Sequence, residues 1–180
     1  LFTRLKYYIQ LLIQVITFHD IHVKLCSIEP AHVNFIGNSF SFSSFANARI
    51  DNEQCRFTEH SRYISHLHPF LTQWRRSDLF SVALLLLHIE MLVRDQTPSI
   101  YDQLETTSDP QSLLNSAVDN LTDSCTCFKL ILKSMLDIDL SMSQSELMLI
   151  EAFVECLMSF VLSDQQVDKR IKSMKKRNVH

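Results

Sequence analysis

The chain is poor in the residues that make tight turns: its 180 residues include one glycine and four prolines. A β-sandwich or β-barrel needs many tight turns, and a dinucleotide-binding fold needs glycines at its phosphate loop. The hydrophobic content of 46% is nevertheless high enough for 180 residues to bury a substantial core as one domain. These proportions predict a mainly α-helical fold.

Long apolar runs are also missing. The most apolar stretch, residues 79–93, is 15 residues long and contains His88 and Glu90, whereas a membrane-spanning helix needs about 20 apolar residues. This stretch therefore predicts a buried helix and no membrane span.

Gln10 and Gln14 interrupt the first apolar stretch, which argues against a secretory signal peptide. Because the chain does not begin with Met, we expect it to be a fragment or domain of a longer protein.

The cysteines do not form a disulfide framework. There are five, an odd number without regular spacing, which predicts reduced thiols and an intracellular, cytoplasmic location. Cys125 and Cys127 are interpreted as packing at the start of a helix and not as a redox pair.

Four histidines have spacings that match no helical ligand pair, so we expect exposed loop side chains and neither a metal nor another cofactor. These are His22, His60, His66 and His68.

Charge is distributed unevenly along the chain. The net charge of −3 gives no basic face, so no nucleic-acid partner is predicted. From Ser163 onward six Lys or Arg stand against two Asp, a net +4, which leaves −7 for the first 162 residues. We therefore divide the chain into a domain at residues 1–162 and a basic tail at 163–180. The tail is interpreted as a solvated helix end or a disordered terminus, and the alternative is a nuclear-import or acidic-partner segment.

Apolar periodicity predicts five helices and one β-hairpin. The hairpin joins Val33–Ile36 to residues 40–42 through a turn at the only glycine, Gly37. The polar stretch at 47–76 lacks a period and predicts a long ordered loop, and residues 94–126 are predicted to be loop-rich around one short helix. The predicted helices cover residues 4–18, 77–93, 112–121, 128–136, and a last segment that begins at Ser143 or Ser145.

Three segments resemble motifs of the protein kinase superfamily and follow one another in the order of that family. Residues 17–30 (TFHDIHVKLCSIEP) resemble Y-L-H-x-x-G-I-V-H-R-D-L-K-P, with His19 and Pro30 aligned without gaps. Residues 44–49 (SFANAR) resemble D-F-G-L-A-R, and residues 77–83 (SDLFSVA) resemble S-D-V-W-S-L-G. The order of predicted elements is also that of a kinase C-terminal lobe. The resemblance covers roughly residues 5–162 and implies a C-lobe-like helical domain with one small hairpin and no N-lobe in this chain.

The resemblance places Ser27, His32 and Ser44 at the three polar positions on which kinase catalysis depends. In the family an Asp accepts the substrate hydroxyl proton, and an Asn with a second Asp holds Mg²⁺ at the phosphates. Neutral oxygen and nitrogen atoms do not replace two carboxylates around a hard dication. The chain is therefore expected to be catalytically inactive. Asn34 stands where the family places an apolar residue beneath the adenine ring, which also disfavours ATP binding.

Four further positions resemble the family in their structural role. Phe45 and Leu25 stand at the motif phenylalanine and the motif histidine, and both are apolar enough to stack in the column that links the kinase lobes. Pro30 ends the loop motif. Asp78 occupies the position of an aspartate whose buried carboxylate holds the catalytic-loop backbone, so we expect it to be hydrogen-bonded and costly to remove.

Retained packing positions beside lost catalytic ones indicate a pseudokinase that acts as a protein-binding or scaffold module. On this interpretation the loop at 47–68 and the region 94–121 offer surfaces to a protein partner. Two other interpretations stay open. One is an active but atypical kinase with an N-lobe upstream of Leu1, and the other is an unrelated helical interaction domain.

Overall fold

The computed structural model describes residues 1–26, 28–37, 39–45, 47–50, 53, 74–122, 124–138 and 146–177, with the side chains of Trp74 and residues 162–177 left out. The predicted mainly helical fold is confirmed over these residues. A short 3₁₀ helix spans Pro30–His32. The six α-helices described are α1 (Phe2–Asp20), α2 (Trp74–Leu92), α3 (Ile100–Thr106), α4 (Pro110–Asp119), α5 (Thr126–Met135) and α6 (Glu146–Arg177).

The small amount of β-structure forms two antiparallel pairs. Strands β2 (Val33–Ile36) and β3 (Ser39–Phe42) make the predicted hairpin, in which Val33 lies opposite Phe42. Gly37 adopts a φ of +56° at the turn, a left-handed conformation that glycine reaches without the Cβ clash of other residues. Strands β1 (Val23–Lys24) and β4 (Arg49–Ile50) form a second, two-residue ladder. This second pair was not predicted, because two residues carry no alternating pattern.

Helix α2 lies at the centre of the core. Its residues 77–87 are all buried, as expected for a helix that is apolar on every side. Helix α1 packs against both α2 and α6, and α5 packs against α2, α4 and α6. The largest fully buried side chains of the outer helices are aromatic: Tyr8, Phe128 and Phe153.

A buried carboxylate clamps α1 to α2. The Glu90 side chain is fully buried and accepts hydrogen bonds from Arg4 Nε at 2.7 Å, Tyr8 Oη at 2.6 Å and Arg94 Nη1 at 2.6 Å. Burial alone would raise the pKa of Glu90, but the hydrogen bonds from Arg4, Tyr8 and Arg94 outweigh it and hold the pKa below its ordinary value. Burial, with the nearby Glu90 charge, raises the pKa of Tyr8, which therefore stays a donor.

Several helix boundaries differ from prediction. Helix α2 begins at Trp74, three residues before the predicted N-cap Ser77, whose carbonyl instead accepts a 2.9 Å bond from Ser81 Oγ inside the helix. Helix α3 was missed because seven residues are too few to show an apolar period. It is marked only by its N-cap, where Ser99 Oγ accepts a hydrogen bond from Asp102 N.

Other predictions fall partly or wholly outside the described residues. These include most of the 47–76 loop and His60, His66 and His68. Helix α6 continues to Arg177, so its backbone runs from the predicted domain into the basic tail. Within the described residues, no helix combines the length and apolar character needed to cross a bilayer.

Candidate functional site

Helix α2 places the Asp78 carboxylate in the core beneath the loop that follows β1. The side chain is 1% exposed. Its Oδ2 accepts a hydrogen bond from the Leu25 amide at 2.8 Å, and its Oδ1 accepts one from the Cys26 amide at 2.8 Å. Both oxygens of one buried carboxylate therefore hold two consecutive loop amides.

The loop backbone held by Asp78 is in an uncommon conformation. Cys26 has a φ of +64°, although it is not glycine. A non-glycine residue in the left-handed region costs on the order of 1 kcal/mol or more and persists only where surrounding contacts impose it. The Asp78 hydrogen bond and the burial of both Leu25 and Cys26 supply those contacts. The carboxylate thus fixes the path by which the chain approaches Ser27, which itself lies outside the described residues.

A buried histidine at the end of α1 extends this network. His19 is fully buried, with Nε2 3.1 Å from Asp78 Oδ2 and Nδ1 2.6 Å from Glu146 Oε1. A neutral imidazole carries one N–H and satisfies one of these carboxylates, whereas an imidazolium donates to both. The second carboxylate also accepts from Arg75, whose Nη1 lies 3.1 Å from Glu146 Oε2. We call Asp78, His19, Glu146 and Arg75 the anchor network.

The anchor network joins three helices that are far apart in sequence. Arg75 Nη2 also donates to the His19 carbonyl at 3.1 Å, so α2 holds the last turn of α1 as well as the start of α6. His19 was singled out in the sequence only as an alignment point. Glu146 was missed because it lies 127 residues from His19 and carries no local signal.

Of the three positions that the kinase resemblance singles out, His32 and Ser44 are among the described residues. His32 ends the 3₁₀ helix, and its carbonyl accepts a 2.9 Å hydrogen bond from the Ser43 amide. Ser43 Oγ donates to the Ala31 carbonyl at 3.1 Å. Ser44, which follows directly, is therefore brought close to the His32 position. The side chains at these two positions are an imidazole and a hydroxyl.

Phe45 belongs to an aromatic patch on the surface. Its ring centroid lies 5.3 Å from that of Phe18 and 5.7 Å from that of Phe42, and the rings of Phe18 and Phe42 are 5.9 Å apart. Phe45 remains 48% exposed, whereas Leu25 is 4% exposed. We call Phe18, Phe42 and Phe45 the aromatic patch. It lies next to the hairpin, whose Phe35 is also largely exposed.

One cysteine departs from the prediction of reduced thiols. Cys26 is disulfide-bonded, whereas Cys125, Cys127 and Cys156 are free. The prediction that all five thiols are reduced is therefore wrong for Cys26. An odd count of cysteines excludes a fully paired framework but does not exclude one disulfide.

Comparison with known proteins returned no matching family model, no matching curated protein and no matching solved structure. The functional interpretation therefore rests on the residues and contacts of this chain.

Proposed function

We propose that this chain is a degenerate protein kinase-like domain that binds a protein partner or acts as a scaffold and does not transfer phosphate. The observation that carries the proposal is the Asp78 carboxylate, which holds the Leu25 and Cys26 amides directly before the catalytic positions.

Loss of phosphate transfer follows from the chemistry at the catalytic positions. Ser27 and Ser44 carry neutral, weakly basic hydroxyls in place of carboxylates, and His32 replaces an amide oxygen. Mg²⁺ requires oxygen ligands and is usually held by one or two carboxylates. Without them the charge that develops on the transferred phosphoryl group has no counter-ion. We also propose that ATP binding is disfavoured, because the polar Asn34 stands where the kinase resemblance implies an apolar residue beneath the adenine ring.

The role in protein binding is supported by exposed apolar surface and by a cleft. Phe45 is 48% exposed within the aromatic patch, and Phe35 and Ile36 at the hairpin are 53% and 64% exposed. Large exposed apolar patches can mark protein-interaction surfaces. In the region 94–121, a cleft of about 440 Å³ opens between Met91 and Leu113. We propose that the aromatic patch is the main contact with the partner.

The binding role is tested by comparing the partners recovered by full-length protein and by two surface variants. Phe45→Asp introduces a charge into the aromatic patch and is expected to reduce the recovery of specific partners about tenfold or more, because loss of a residue at the centre of an interface can cost about 2 kcal/mol or more. Leu92→Asp is the matched control, since Leu92 is 54% exposed at the end of α2. Equal recovery by all three proteins would contradict this proposal.

The atypical-kinase alternative is distinguished by nucleotide binding. A ligand present at 100 times its dissociation constant stabilises the folded protein by about 2.7 kcal/mol. We expect Mg²⁺ with ATP to leave the melting temperature unchanged. A saturable increase in the melting temperature would favour the alternative.

We also propose an intracellular location, cytoplasmic or nuclear. The disulfide at Cys26 indicates that the environment is not fully reducing.

A further inference from the structure

Three free cysteines converge at the start of α5, away from the anchor network. Cys125 Sγ lies 3.2 Å from Cys127 Sγ and 3.2 Å from Cys156 Sγ. All three sulfur atoms lie within 4.8 Å of one another. We call these residues the thiol cluster. Nothing in the proposed kinase-like function uses them, and the sequence interpretation of Cys125 and Cys127 as helix-start packing did not include Cys156.

The cluster is built on helices that are firmly packed. Cys156 is 1% exposed on α6, and its neighbour Phe153 stacks edge-on against Phe128 of α5 at a centroid distance of 6.2 Å. Cys125 and Cys127 are only partly buried. The α5–α6 contact therefore sets the positions of Cys127 and Cys156, and Cys125 is the N-cap residue directly before α5.

Two of the three cysteines lie at the N-terminal end of α5. Cys125 is the N-cap residue and makes no side-chain capping hydrogen bond, and Cys127 lies in the first turn. The first amides of a helix have no intrahelical acceptor, and the N-terminal end of the helix dipole stabilises negative charge. Thiolates at helix N-termini are favoured for this reason. An ion that converts these thiols to thiolates therefore places negative charge where the helix stabilises it.

We propose that the thiol cluster binds one thiophilic metal ion through the sulfur atoms of Cys125, Cys127 and Cys156, and that Cu(I) is the ion it fits best. Thiolate-only ligand sets select soft ions such as Cu(I). A structural Zn²⁺ site takes four protein ligands, and among the described residues no histidine or carboxylate joins the three sulfurs. A three-sulfur set instead matches a planar, three-coordinate ion.

The distances require little adjustment. With a metal–sulfur distance of about 2.3 Å, a planar three-coordinate ion sets sulfur–sulfur distances of about 4 Å. The two 3.2 Å contacts must therefore open by less than an ångström, which side-chain rotation provides. An ion that enters the cluster displaces the thiol protons to solvent, because thiolates are the binding form. No change of oxidation state is involved.

The test is an anaerobic titration of the full chain with Cu(I) against a coloured Cu(I) chelator, preceded by a thiol count to show that the cluster is reduced. We expect one equivalent of Cu(I) to be retained, with a thiolate-to-copper absorption band. Cys156→Ser removes a ligand and should weaken binding by at least the roughly 10–100-fold that loss of an outer-shell partner costs. Met135→Leu, which removes a thioether at the other end of α5, should bind as the parent protein does.

Because Cys156 is buried, its replacement could disturb folding, so Cys125→Ser and Cys127→Ser provide a second comparison at partly exposed positions. Each should also weaken binding while leaving the helical circular dichroism signal unchanged. Failure of the reduced parent protein to retain Cu(I) would overturn the proposal. Retention that is equal in the parent and in both of these variants would overturn it as well, as would tighter retention of Zn²⁺ than of Cu(I) across the same series.

Discussion

The sharpest test of the anchor network is the replacement Asp78→Asn. The two side chains have the same shape, but Asn carries no charge and offers one acceptor oxygen and one NH₂ group. In the native protein both Asp78 oxygens accept backbone amides at 2.8 Å, and Oδ2 also faces His19 Nε2 at 3.1 Å. Whichever way the Asn amide turns, its NH₂ group must face either the Leu25 amide or the Cys26 amide. One buried amide is then left without an acceptor.

The expected loss follows from these contacts. A hydrogen bond to a charged group contributes about 1.5–3 kcal/mol, and a buried donor without an acceptor costs about 1–3 kcal/mol. The His19 ring also loses its partner charge while Glu146 remains. Together these effects predict a loss of about 4 kcal/mol in the free energy of unfolding. In a chain of this size that corresponds to a decrease of about 8–16 °C in Tm.

The assay is urea and thermal unfolding of the full chain, followed by circular dichroism. Asp119→Asn is the matched control, because Asp119 is an aspartate with a 61% exposed side chain that pairs with Lys133 at 2.7 Å. An exposed pair of this kind contributes less than about 1 kcal/mol. Hydrogen exchange at the Cys26 amide should also become faster in Asp78→Asn, since its acceptor is lost. If Asp78→Asn loses no more stability than Asp119→Asn, the carboxylate does not hold the loop.

The Glu90 clamp supports two further predictions. Glu90→Gln should lower the free energy of unfolding by about 3 kcal/mol, because Arg4 and Arg94 then lose a buried charged partner. Since the pKa of Glu90 is held below its ordinary value of 4.5, the charged form is favoured by folding, and its contribution should be constant above pH 4.5 and be lost as the pH falls below it. The difference in stability between the parent and Glu90→Gln proteins, measured by urea unfolding from pH 7 to pH 3, should narrow only in the acid range. If the stability difference between the parent and Glu90→Gln proteins became larger as the pH fell, the pKa of Glu90 would not be lowered by folding.

Much of the helical fold could be predicted from the sequence because it depends on repeated local patterns. The apolar period of residues 4–18 and the continuous apolar run of residues 79–93 each show on which sides a helix is buried. The hairpin was predictable because Gly37 supplies the left-handed turn residue. Helix α3 and the β1–β4 ladder were not predictable, since seven residues and two residues are too short to show a period.

The candidate site was predictable only where a motif was present. Asp78 could be singled out because it stands in a short segment with a family-like pattern. Glu146, Arg75 and Cys156 could not, because each becomes meaningful only when folding brings distant helices together. Residues that act through long-range contacts carry no signal in the local sequence. The last helix begins at Glu146, next to the predicted start at Ser145. The sequence did not indicate, however, that the Glu146 carboxylate contacts the His19 ring.

The most direct test of the central claim is a phosphate-transfer assay on the full-length protein with Mg²⁺, radiolabelled ATP and generic protein substrates. The account predicts no incorporation into the substrates or into the chain itself above that of heat-denatured protein, because Ser27, His32 and Ser44 provide no carboxylate for base or metal. Time-dependent incorporation that is abolished by Ser27→Ala or Ser44→Ala would contradict it.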